Sequence, residues 1–161
     1  MKKRTHLRTA ALVVAGIVLA LLGILAYVHT PASEVGSATL RTIHLKGESV
    51  RISVADTDAL RQLGLGGRAG LAPDEGMLFV FPRDGKYAFW MKDMRFSIDI
   101  LWLSAPSTSS GQATVVYIAQ NISPDTYPKD FVSTAPARYV LELPAGYAAS
   151  HSIKVGDIVQ L

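Results

Sequence analysis

The run Gly76-Met-Leu-Phe-Val-Phe81 is apolar throughout and only six residues long, and it constrains the fold more than any other feature of the chain. A segment that short, with no polar face, reads as a strand buried in a sheet. Pro82-Arg-Asp-Gly85 follows as a turn cluster, so Tyr87 to Met91 is expected to pair back on the first run as a hairpin. Beyond it, Phe96, Ile98, Ile100 and Trp102 alternate with Ser97, Asp99 and Leu101. Period-two alternation belongs to a strand with two distinct faces.

The remaining elements follow the same signals. Leu40–Leu45 is a short mixed strand turned at Gly47, and Val50, Ile52 and Val54 alternate with Arg51 and Ser53. Asp56-Thr-Asp58 supplies N-cap oxygens for a helix through Ala59, Leu60 and Leu63, ended by the glycines at 64, 66, 67 and 70. Ser104–Gln112 reads as a surface loop, Thr114–Gln120 as a return strand and the proline-rich Ser123–Pro136 as extended loop. Tyr139–Leu143 is another strand, Ala145–His151 a short helix, Lys154–Asp157 a tight turn and Ile158–Leu161 a closing strand. These elements predict a mainly β (α+β) fold: a small antiparallel sheet or barrel-like domain with one or two short helices.

The N-terminus is of a different kind. Ala10–Val28 carries no charge and is preceded by Lys2, Lys3, Arg4 and Arg8. As a helix it would rise about 28 Å, close to the ~30 Å hydrocarbon core of a bilayer. The run is longer than a usual signal-peptide core, and Tyr27-Val-His-Thr-Pro31 is a poor cleavage site. The expected organisation is a cytoplasmic basic region (1–9), a single transmembrane anchor (10–28), a linker (29–38) and an extracytoplasmic domain (39–161). A secreted or periplasmic domain, released by signal cleavage, is the alternative.

Charge excludes one class of partner. Of 16 Lys and Arg, four precede the apolar run, so 12 follow it against all 13 Asp and Glu. The domain is therefore near neutral, with no basic stripe to neutralise phosphates, and nucleic acid is not an expected partner. The absence of cysteine removes disulfides, thiolate metal sites and a cysteine nucleophile. His6, His29, His44 and His151 are scattered and show no zinc-ligand spacing. Neither a metal nor a cofactor is expected. Gly64-Leu-Gly66-Gly-Arg-Ala69 matches a dinucleotide-binding turn in letters only, because a helix precedes it and a loop follows.

Five motifs in order carry a family likeness: Leu63-Gly-Leu-Gly-Gly-Arg68, Asp74-Glu-Gly-Met-Leu-Phe79, Phe89-Trp-Met-Lys92, Ile98-Asp-Ile100 and Ala137-Arg-Tyr-Val-Leu-Glu-Leu-Pro-Ala-Gly146. With the closing Gly156-Asp157, they resemble the DUF192 (UPF0127) family over about residues 40–161. The resemblance implies a compact β-rich domain, often exported or membrane-anchored, with no assigned activity. Two positions depart from the family pattern: Gly66, where it tends to have Met, and Asp93-Met94, where it tends to have Asn-Thr.

Candidate site residues cluster in the same motifs. Asp99 is an isolated carboxylate in an apolar strand, so it must be paired, exposed or turned into a cleft. Arg68 is a candidate to hold either Asp99 or an anionic ligand. Phe89 and Trp90 are candidate apolar walls, beside Lys92 and Asp93 where a strand gives way to loop. In extended chain Lys92 and Asp93 would point to opposite faces, reaching one ligand only if the strand breaks there. The leading expectation is a membrane-anchored extracytoplasmic binding or accessory domain for a small-molecule or envelope ligand, with its pocket near Arg68, Trp90 and Asp99. A small hydrolase or transferase using Asp99 with Asp93 as acid and base is the first alternative, and a scaffold for a membrane partner the second. The signals weigh toward binding rather than catalysis.

Overall fold

The computed structural model describes residues 39–106 and 111–161. The expected anchor (10–28), its basic flank and the linker lie outside the described residues. Within them no helix is long and apolar enough to cross a membrane.

Among the described residues nine strands and two short α-helices form in chain order: β1 (Thr39–Leu45), β2 (Glu48–Ala55), α1 (Asp58–Leu63), β3 (Glu75–Gly85), β4 (Ala88–Phe89), β5 (Ile98–Leu103), β6 (Gln112–Ile122), β7 (Phe131–Val132), β8 (Ala137–Pro144), α2 (Tyr147–Ser150) and β9 (Ile158–Gln160). Seven of them close into a barrel in the order β1-β2-β3-β8-β5-β6-β9, with β9 returning to β1. Closure leaves the barrel itself no free edge to template aggregation. The barrel expectation is therefore met, with one qualification: β2 and β3 run parallel, Ile52 opposite Gly76 and Val54 opposite Leu78. A parallel pair needs a crossover, and here α1 and the glycine loop supply it.

The predicted helix forms as its cap dictates, Thr57 Oγ1 accepting from Leu60 N at 3.2 Å. Gly64, at φ 52°, ends it. The predicted hairpin does not form. β3 runs on through Pro82 to Gly85, pairs with β2 over Glu75–Phe79 and with β8 over Met77–Val80 and again at Gly85, and makes no ladder with Tyr87–Met91. Ala88 and Phe89 pair instead with Val132 and Phe131, which turns part of the expected loop 123–136 into β7. Pro124–Thr126 adds a 3-10 turn in the same loop.

Strand alternation splits the core into two layers. Ile43, Val50, Ile52, Leu78, Leu101, Leu141 and Leu143 pack inside the barrel. Met77, Phe79, Ile98, Ile100, Trp102 and Val140, on the opposite faces of the same strands, form a second cluster covered by Leu60, Leu65, Phe89 and Met91. The sheet is thus covered on both faces around β5, all six of whose residues are buried. Gly76 lets β3 approach β8: a Cβ there would stand 2.7 Å from the Glu142 carbonyl oxygen.

Candidate functional site

The covering segment does not seal the outer face completely. A cleft of about 1100 Å³ opens between α1, the glycine loop and the segment around β4, with Glu142 of β8 also in its wall. Phe79, Phe81, Tyr87 and Phe89 line it. The Phe81 and Tyr87 rings stack at 3.5 Å between centroids, and Phe89 meets Phe79 edge-on at 4.8 Å. Trp102 lies behind this wall, fully buried, its Nε1 donating to the Tyr87 carbonyl at 3.0 Å.

Trp90 is unlike its neighbours. Phe89 and Met91 point into the core, whereas Trp90 is 54% exposed and lines the cleft. The strand β4 ends at Phe89, and a turn closed by Met94 N to the Met91 carbonyl follows at once. Asp93 occupies the left-handed region at φ 57°, and its carbonyl accepts from Gly67 N at 2.9 Å. That break in the strand lets both Lys92 and Asp93 line the same cleft. Gly66 packs beneath the turn, where a Cβ would stand 3.1 Å from the Leu63 carbonyl and 3.6 Å from the Lys92 carbonyl. A side chain at position 66 would therefore meet this turn.

Two cleft charges are engaged within the fold. Arg61 pairs with Asp58 at 2.6 Å, donates to the Val80 and Asp56 carbonyls, and lies over the Phe81 ring. Arg61 therefore buttresses the wall. Lys92, Asp93 and Arg95 remain on the turn that borders the cleft.

Asp99 stands elsewhere. It shares its face of β5 with Leu101 and Leu103, pointing into the barrel end, and is fully buried. Its Oδ1 accepts from Asn121 N at 2.8 Å and Gly146 N at 3.2 Å, and its Oδ2 accepts from Ala148 N at 2.8 Å. A carboxylate so saturated by backbone donors is a staple, not a group held ready for a ligand. It is not among the residues lining the cleft, and the arrangement with Asp93 as acid–base partners is not assembled. Arg68 does not hold Asp99 either. It lines a smaller cleft of about 460 Å³ with Arg41, Arg51 and Glu75.

Glu142 also lines the cleft, though it is not among the residues expected there from sequence. It sits mid-strand on β8 opposite Met77 and Ile100, is 5% exposed, and its Oε2 has no hydrogen-bond partner among the described residues. Burial pushes its carboxyl up to about 8, with the Arg68 guanidinium pulling the other way. The signal was present in the sequence: Val140-Leu-Glu-Leu143 places one charge in an apolar strand, just as Ile98-Asp-Ile100 does. Among the described residues no cluster of His, Asp or Glu could hold a metal ion.

Fold and cleft together define a small closed β-barrel whose outer face carries a second, incompletely covered core. The DUF192 family model (Uncharacterized ACR) matches residues 41–161, and the chain belongs to that family. Two solved structures share the fold. A Sinorhizobium meliloti 1021 protein, whose description assigns it provisionally to the transcription regulators, is 30% identical at a TM-score of 0.67, covering 76% of this chain and 94% of its own. A protein of unknown function from Novosphingobium aromaticivorans DSM 12444 is 26% identical at a TM-score of 0.68, covering 80% of this chain and 89% of its own. No curated protein matches the chain.

Proposed function

We propose that this DUF192 domain is a binding module, tethered outside the cytoplasmic membrane by residues 10–28, that takes a small ligand in the cleft beside Trp90. The observation that carries the reading is the 54% exposure of Trp90 against a concave wall of packed aromatic rings. Leaving so large an apolar surface in water is unfavourable unless something stacks on it. Leu63, 56% exposed, lines the same cleft, so the exposed apolar surface here is concave rather than a flat docking face. The charge-free run behind four basic residues supports the tether and its orientation. Near-neutral charge argues against carrying over the transcription-regulator description of the Sinorhizobium protein.

The two tryptophans supply the test. Trp90 is exposed and Trp102 is enclosed, so their emissions separate by position and by access to iodide. A ligand of the cleft shifts and shields the exposed component, and Trp90→Ala abolishes that response. If a chemically diverse fragment set leaves the Trp90 emission and its quenching unchanged, the cleft is not a binding site.

A further inference from the structure

Glu142 combines three properties seldom found together: burial, an oxygen without a partner, and a place in the wall of an open cleft. A buried polar atom left unsatisfied is unfavourable by roughly 1–3 kcal/mol, and native folds retain few such atoms. From this buried carboxyl and the aromatic rings that line the same cleft we infer that the cleft recognises an organic cation, an ammonium group on an apolar body, with the ammonium against the Glu142 carboxylate and the body against the wall near Trp90. The inference rests on the binding reading above and names its ligand class.

The surroundings select a cation over other polar groups. On the strands flanking Glu142 its partners, Met77 and Ile100, are apolar and donate no side-chain hydrogen bond. Aromatic rings attract positive charge over their faces and repel negative, as Phe81 in the same cleft already does for the Arg61 guanidinium 5.5 Å from its centroid. Arg68 is the cation whose field reaches Glu142, yet among the described residues the two form no ion pair. The other charges facing this cleft are Asp58 and Arg61, paired to each other on α1, and Lys92, Asp93 and Arg95 on the turn after β4. A ligand ammonium is therefore the missing complement of the carboxylate.

Proton balance follows from burial. With its carboxyl pushed up to about 8, Glu142 is mostly neutral in the empty cleft at pH 7. Seating an ammonium converts it to the carboxylate and releases its proton to the buffer. Affinity for a cation then rises with pH until Glu142 is ionised without help, by about tenfold or more between pH 6 and pH 8.

The test uses three probes on one frame with the full-length protein: phenethylamine, 2-phenylethanol and 3-phenylpropionate, read by Trp90 emission and by calorimetry in two buffers of different ionisation enthalpy. The expected result is preference for phenethylamine, a rise in its affinity from pH 6 to pH 8, and proton release that Glu142→Gln abolishes together with the rise. Equal or tighter binding of the alcohol or the carboxylate, or a flat pH profile in the wild type, overturns the cation inference while leaving the cleft a binding site. If none of the three probes alters Trp90 emission at millimolar concentration, the cleft reading and the cation inference both fall. Should Glu142→Gln fail to fold, the probe series and the wild-type pH profile decide the matter alone.

Discussion

Asp99 caps Ala148. Its Oδ2 accepts from the Ala148 backbone N–H at 2.8 Å across 49 positions of sequence, on the first turn of α2, whose own N-cap, Gly146, has no side chain to do so. With the bonds from Gly146 and Asn121, this one carboxylate ties β5 to the end of β6 and to the turn after β8. Replacing it with Asn substitutes an amide for an oxygen that accepts from a backbone donor, and removes the charge from every bond it makes. Asp99→Asn is expected to destabilise the barrel by about 1–3 kcal/mol, several degrees in Tm for a domain of this size. Thermal unfolding checks it. An unchanged Tm would contradict the staple.

Glu142 gives the opposite sign. Its carboxyl titrates near 8 in the folded chain against 4.5 as the ordinary value, so the folded state holds the proton more tightly than the unfolded one. Stability contributed by this group is fully present below about pH 4.5 and is lost as pH rises towards 8. At pH 7 the loss is on the order of 3 kcal/mol relative to a group that never ionises. Glu142→Gln should therefore match wild type near pH 4.5 and exceed it increasingly up to pH 8. Denaturant unfolding across that range measures the difference. A constant difference would show that Glu142 does not titrate in this window.

The tryptophans should part company in stability as well as in emission. Trp90→Ala removes an exposed ring and is expected to change stability by no more than about 0.5 kcal/mol. Trp102→Phe empties part of a fully enclosed site and leaves the Tyr87 carbonyl without its donor, for a loss of about 1–3 kcal/mol. Denaturation midpoints of the two variants, side by side, settle the comparison.

Gly76 tests the close approach of β3 to β8. A Cβ there would stand 2.7 Å from the Glu142 carbonyl oxygen and 3.0 Å from Leu143 Cδ2, and the backbone oxygen cannot swing away without breaking the ladder. Gly76→Ala is expected to destabilise by about 1–3 kcal/mol through overpacking, despite alanine's lower chain entropy in the unfolded state. A stabilised variant, measured by urea unfolding, would show that the two strands have room to part.

The sequence by itself determined the local alphabet of this protein. Alternation at Val50–Val54 and the apolar runs at Gly76–Phe81 and Ile98–Leu103 mark strands because side-chain period is a property of the backbone. Thr57 and Gly64 bound α1 because cap chemistry acts within a few residues. The same local logic singled out Asp99 as a carboxylate needing an explanation. Partnership was decided only by the tertiary structure. Pro82–Gly85 has turn composition, yet β3 stays extended through it and rejoins β8 at Gly85, opposite Ala137, so the hairpin does not form. Asp99 finds its donors 22 to 49 positions away, and Glu142, the same pattern on β8, finds no donor for Oε2. Hydrogen bonding and burial depend on which strands meet when the barrel closes. Two mid-strand carboxylates alike in sequence therefore became a satisfied staple in one layer and a buried, unsatisfied group in the other.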